Sequence, residues 1–249
     1  MDINYNSFYY NTSKWALANK TVKWLTMDTE ELYKKNLINN YDKLKKYDWI
    51  DKEFTYTFNS LGFRCDEFSN DPSILFLGDS HTVGIGLPLE NVWATIVAKK
   101  LNLKSINLGQ GGGSSNTLFR LGSYWIPKIL PKIVVYHEPN MWRLELLNNN
   151  KIEFLSPTGD DKYMERLNIL EFYKLWISDD TNGFLNQEKN RLSIEHICYL
   201  NGCKFIYIER GNGVEYVDYA RDLAHSGVES NLKFSNMVLD LINGTTSRD

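Results

Sequence analysis

The pentapeptide Gly78-Asp79-Ser80-His81-Thr82 follows directly on the apolar run Ile74-Leu75-Phe76-Leu77. That order puts a serine at the mouth of a strand-to-helix turn, where its hydroxyl projects from the carboxyl edge of a sheet near backbone N–H groups and the positive end of a helix. Gly-Asp-Ser alone also makes ordinary polar turns. Its weight comes from three later segments, which supply in order what a serine nucleophile lacks. Asn107-Leu108-Gly109-Gln110-Gly111-Gly112-Gly113-Ser114 and His137-Glu138-Pro139-Asn140 bring candidate donors for an oxyanion, and Asp222-Leu223-Ala224-His225 brings a base with a carboxylate.

Together the four blocks resemble the SGNH (GDSL-like) hydrolase superfamily, named for its serine, glycine, asparagine and histidine, over roughly residues 73–230. The resemblance implies an esterase in which Ser80 attacks an acyl carbonyl, His225 takes its proton and Asp222 orients the imidazole. It also nominates the oxyanion donors: the Ser80 and Gly112 backbone N–H groups and the Asn140 side-chain amide. Gly112 aligns if Asn107 opens the family's Asn-x-Gly-x-x-Gly element, and the run Gly111-Gly112-Gly113 leaves that choice open by one residue. No cofactor is implied. The third block departs from the family, because Gly-x-Asn-Asp reads here as Glu138-Pro139-Asn140-Met141 and Asn140 alone carries the match. A Glu138 carboxylate pointing into the site would oppose formation of an oxyanion.

The spacing Asp222-x-x-His225 lets one tight loop hold a carboxylate against one ring nitrogen while the other faces the serine. His137 is a competing base without such a partner, and His81, beside the nucleophile, is a candidate pocket wall. His81, His137 and His196 show no metal-ligand spacing, so no metal is expected. The glycine run lacks the Lys-Ser/Thr ending of a nucleotide-binding loop. Trp142 follows Asn140 on the same edge and is a candidate wall of the acyl or sugar pocket.

The elements that must position these groups read as α/β. After residue 72, short apolar strands are expected at 74–77, 105–108, 133–136 and 205–208, with a fifth near 214–217. Helices are expected at 92–101, 117–129, 162–176, 190–200 and 228–242, the second closed by Pro127 and Pro131. This predicts a three-layer αβα sandwich on a five-stranded parallel sheet, flavodoxin-like as the resemblance also implies, with the candidate residues just past strand ends. Residues 1–70 form an N-terminal accessory segment packed on a domain over 71–249: a helix from Asp28 to Tyr47, a half-buried strand at Phe54–Phe58 and an unusually aromatic start, Tyr5, Phe8, Tyr9, Tyr10 and Trp15.

A formal charge of −3 excludes the basic surface that nucleic acid or an anionic membrane requires. The lysines between Lys34 and Lys46 are mixed with acids and asparagines and read as a solvated helix face. Three cysteines, Cys65, Cys198 and Cys203, form no closed set of bridges, and no leader or membrane span is visible, which points to the cytoplasm. The expected function is hydrolysis of a small acyl ester, such as an acetyl group on a glycan. The segments 145–161 and 178–186 should shape the entrance, and neither has the long apolar face of a lipase lid. Acyl transfer to another alcohol and a noncatalytic scaffold that kept the sheet are the competing expectations.

Overall fold

The computed structural model describes residues 17–148, 151–211 and 216–244. The aromatic start lies outside the described residues, as do 214 and 215 of the expected fifth strand; 216 and 217 are not strand. Among the described residues the parallel sheet has four strands: β3 (Ser73–Leu77), β4 (Lys104–Asn107), β5 (Ile133–His137) and β8 (Lys204–Ile208). They run side by side as β4-β3-β5-β8, all parallel, with Ile74 opposite both Ser105 and Ile133. The strand order therefore reverses at β3, and Ser80 follows that strand. Such a reversal leaves a crevice beyond the strand ends.

Every residue of β3 is buried, because both sheet faces are covered. Ile74 and Phe76 pack with Trp93, Val97, Phe234 and Val238 from α4 (Trp93–Lys100) and α9 (Val228–Asn243). Leu75 and Leu77 face the other way, toward Leu118, Leu121, Ile126, Ile194 and Cys198 from α5 (Ser115–Ile129) and α8 (Asp180–Leu200). The three-layer sandwich is thus two cores separated by one sheet. Among the described residues no helix is long and apolar enough to cross a membrane, and the three cysteines are free thiols.

Several elements differ from their sequence reading. The helix expected at 162–176 is two, α6 (Asp161–Arg166) and α7 (Leu170–Ile177), broken where Asn168 takes a left-handed conformation with φ of 56°. Pro127 lies inside α5 instead of closing it. The entrance segment after residue 144 is an antiparallel hairpin, β6 (Leu144–Asn148) with β7 (Lys151–Leu155), and it carries its own small core of Leu144, Leu155, Met164, Leu170 and Tyr173. The entrance segment 178–186 is mostly the first turns of α8, whose buried face there is amide, not apolar. Asn186 and Asn190 donate to the Ser115 hydroxyl at 3.2 and 3.0 Å, so no hydrophobic period announces the helix.

The accessory segment holds β1 (Thr21–Val22) paired antiparallel with β2 (Tyr56–Thr57), which is shorter than the strand expected at 54–58, and the helices α1 (Glu30–Asn39) and α2 (Tyr41–Lys46). The single helix expected from Asp28 to Tyr47 is two, separated at Asn40. Thr29 caps α1, while Asp28 turns inward and takes an ion pair from Arg221 at 2.6 Å, both side chains 1% exposed. Tyr56 donates its hydroxyl to Asp28, and the Arg221 guanidinium lies between Trp24 and Phe54. Buried ions that lose one partner leave a charge without compensation, at a cost of about 3–5 kcal/mol. Asp28→Ala should accordingly lower the urea midpoint by a large part of the total stability; a shift equivalent to less than about 1 kcal/mol would show that Arg221 is solvated.

Candidate active site

Asp79 caps the N-terminus of a four-residue helix, α3 (Ser80–Val83), by accepting the His81 N–H at 3.0 Å. The helix stops at Gly84, whose φ of 77° is left-handed, and so it contributes little macrodipole. What it does contribute is direction: Ser80, the first helical residue, has its hydroxyl 2.9 Å from His225 Nε2. His225 Nδ1 in turn lies 2.5 Å from Asp222 Oδ2. The other carboxylate oxygen, Oδ1, accepts the backbone N–H groups of Ala224 and His225, each at 3.0 Å. This network selects the tautomer with hydrogen on Nδ1, leaving Nε2 to accept from the serine. Three of the five residues singled out from the sequence are therefore one hydrogen-bonded chain across 145 residues of sequence.

The loop that carries Asp222 and His225 is held from outside. Leu223 between them has φ of 56°, a strained value for a β-carbon-bearing residue that persists only where surroundings impose it. Ala220 and His225 bond across the loop, and the Arg221 N–H donates to Gly86 O at 3.1 Å. Gly86 must be glycine: its φ is 80°, and a β-carbon there would stand 2.7 Å from that of Ala220. Gly86 N–H donates to the Tyr56 hydroxyl, and Arg64 donates to the carbonyls of Val83, Gly84 and Leu87. Accessory residues thus hold both the exit of α3 and the loop that carries Asp222 and His225.

Gly112 and Asn140 sit on neighbouring segments. Gly113 N–H is committed to Gln110 O at 2.8 Å, which narrows the glycine run to Gly111 and Gly112. Gly112 has φ of 75°, and nothing stands within 4 Å of where its β-carbon would be, so this peptide borders open space. Asn140 Oδ1 accepts the Trp142 N–H at 2.9 Å, which fixes the amide plane and leaves its NH₂ for another acceptor. Glu138 does not point at the serine. Its oxygens accept from the Tyr207 hydroxyl at 2.5 Å and the Arg210 N–H at 3.0 Å.

Two further arrangements escaped the sequence reading. Asp79 Oδ2 accepts from Arg143 at 2.8 Å, with Arg210 at 3.6 Å. Burial opposes the Asp79 charge, yet the Arg143 guanidinium and the His81 N–H favour it, and its carboxyl lies below the usual range. His81, a candidate pocket wall by sequence, has its ring centre 5.0 Å from that of His225 and its Nε2 3.2 Å from the Tyr216 hydroxyl, a pairing that the sequence did not signal. Burial pushes its imidazole down to about 4 despite the pull of Asp79. At neutral pH His81 is therefore uncharged, and Arg143 is the partner that neutralises Asp79. A charged His81 would repel an imidazolium at that distance by about 3 kcal/mol at an effective dielectric of about 20.

A cavity of about 200 Å³ lies beside His81, lined also by His137, Arg210, Gly211 and Tyr216. His137 lies buried between Trp93 and Phe234, its Nδ1 3.4 Å from the Thr82 hydroxyl, and burial lowers its pKa. Trp142 is not part of this wall; its indole N–H donates to Asp180 at 2.7 Å and its carbonyl accepts the Tyr173 hydroxyl. Among the described residues no group of acidic, histidine or cysteine side chains has the geometry of a metal site.

No family model matches the sequence, and no curated protein matches it. Solved structures with a similar arrangement include esterases. TesA shares 13% identity at a TM-score of 0.38, over 70% of this chain and 99% of its own. The psychrotrophic esterase EstA from Pseudoalteromonas sp. shares 16% identity at 0.37, over 70% and 98%. The acetyl xylan esterase Est2A from the rumen bacterium Butyrivibrio proteoclasticus shares 14% at 0.41, over 78% and 67%. At this overlap the likeness says nothing of substrate or mechanism, which must come from the site.

Because His81 stays neutral, its ring resonances should remain flat between about pH 5.5 and 8.5 in an NMR titration and move only toward pH 4. An inflection near the ordinary histidine value would contradict the burial.

Proposed function

We propose that the protein is a serine esterase that removes a small acyl group, such as acetyl, from a polar alcohol through an acyl-enzyme. The observation that carries this reading is the unbroken chain from the Ser80 hydroxyl through His225 to a buried Asp222. The Ser80 oxygen attacks the ester carbonyl carbon while His225 Nε2 takes its proton, and Asp222 stabilises the imidazolium. Negative charge develops on the carbonyl oxygen, opposite the Ser80 and Gly112 N–H groups and the Asn140 amide. The tetrahedral adduct collapses, the C–O bond to the alcohol breaks, and the imidazolium returns the proton to the departing oxygen. Water then repeats the sequence on the acyl-enzyme, releasing the acid.

The cavity beside His81 carries the His81 imidazole, the Arg210 guanidinium and the Tyr216 phenol on its wall, groups able to bind the hydroxyls of a leaving group such as an acylated sugar. Glu138 and Met141 favour a scaffold that lost activity; the engagement of the Glu138 oxygens by Tyr207 and Arg210 supports the esterase reading instead.

With p-nitrophenyl acetate, Ser80→Ala and His225→Ala should each lower kcat by about 10⁴-fold or more, and both should abolish labelling by a fluorophosphonate. Asn140→Ala should cost about 10²–10³ in kcat with little change in KM. Equal slow turnover by the wild type and Ser80→Ala would leave the noncatalytic scaffold as the better description.

A further inference from the structure

Arg143 is the point at which three segments of the site meet. Its guanidinium Nη1 donates to Asp79 Oδ2 at 2.8 Å, immediately before Ser80. The same nitrogen lies 3.5 Å from the carbonyl of Gly113, the residue after Gly112, in a longer and weaker contact. Its own backbone N–H donates to Asn140 O at 3.1 Å and closes the turn in which Asn140 Oδ1 accepts from Trp142. Each partner is adjacent to, or is, one of the three residues assigned above as an oxyanion donor. The side chain is 18% exposed and Asp79 is 2% exposed, so water competes little for either end.

We propose that Arg143 is a positioning residue that keeps the Ser80, Gly112 and Asn140 donors in register for the oxyanion. The inference rests on the esterase reading and adds to it the part that holds the donors together. Donors act on a transition state only if they are fixed before the charge develops. The Ser80 and Gly112 segments share the bonds from Gln110 N–H to Gly78 O and from Asn107 Nδ2 to Thr82 O, at 3.0 and 2.7 Å, and Arg143 ties the Asn140 segment to both. Its guanidinium reaches the Asp79 and Gly113 segments while its backbone N–H holds Asn140, so one residue joins the three. The simpler alternative is that Arg143 only neutralises a buried Asp79. The two roles separate in a double-mutant cycle, because asparagine at position 79 can still cap α3 but needs no counter-charge.

The measurements are kcat and KM for p-nitrophenyl acetate, the rate of fluorophosphonate labelling, and the thermal midpoint, in Arg143→Met, Asp79→Asn and the double variant. Arg143→Met should lower kcat and the labelling rate together by about 10–100-fold, with KM within about threefold of the wild type. In the double variant the thermal midpoint should recover while kcat stays at least about tenfold below that of Asp79→Asn alone. Should Arg143→Met not fold, the double variant against Asp79→Asn makes the same comparison. Recovery of kcat to within about twofold of Asp79→Asn would reduce Arg143 to a counter-ion and overturn the proposal. A wild type inert to both reagents would instead remove the esterase reading itself.

Discussion

The buried pair of Asp28 and Arg221 is the constraint on which the site depends. Ser80 is placed by the sheet: it follows a fully buried central strand, and its hydroxyl direction is settled by the cap that Asp79 makes. Asp222 and His225 have no such support. They come after the edge strand on a loop without regular structure, and a loop of that kind is held only by what it touches. It touches the accessory segment, through the Arg221 guanidinium set between two aromatic rings and paired to Asp28, and the α3 exit, through Gly86. The pair does more than offset its own desolvation, since Tyr56 bonds to Asp28 and also to the Gly86 N–H, joining the loop of the base to the loop of the nucleophile.

Electrostatics in the site are arranged by burial as much as by contact. The proposed mechanism needs one imidazole that can become positive and cannot tolerate a second positive imidazole against it. His81 meets that requirement by being too buried to protonate near neutrality. Asp79 is ionised beside it because Arg143 stands within hydrogen-bonding distance. Glu138 is close in sequence to Asn140 and would be harmful if free, yet both its oxygens are turned toward the end of β8.

Much of this was readable in advance, and the reasons for the misses are physical. Four strands and the helices at 93–100, 115–129 and 228–243 follow apolar runs whose period matches their surroundings, and the chain from Ser80 to Asp222 was carried by residue types at revealing spacings. The start of α8 was hidden because its inner face is asparagine and glutamine, with Asn186 and Asn190 bonded to Ser115 and Asn116 across the contact with α5. The break at Asn168 was hidden because one asparagine in a helical period is common. Asp28 looked like part of a cap, since a lone aspartate before Thr-Glu-Glu gives no hint of an arginine far downstream. Arg143 carried no signal at all: its importance lies in which three loops it touches, and that is a property of space only.

The order of these contacts along the chain has a consequence for biosynthesis. Asp28 waits for a partner 193 positions later, and the nucleophile waits 145 positions for its base. Long loops close at an entropic penalty that must be met before the closing contacts reward it, so pairings this distant form late. A nascent chain stalled after β8 holds its serine and its glycine loop but has no base and an unpaired buried carboxylate. The hydrogen-bonded chain of Ser80, His225 and Asp222 is therefore withheld from a half-made polypeptide and is completed only when the last segments arrive.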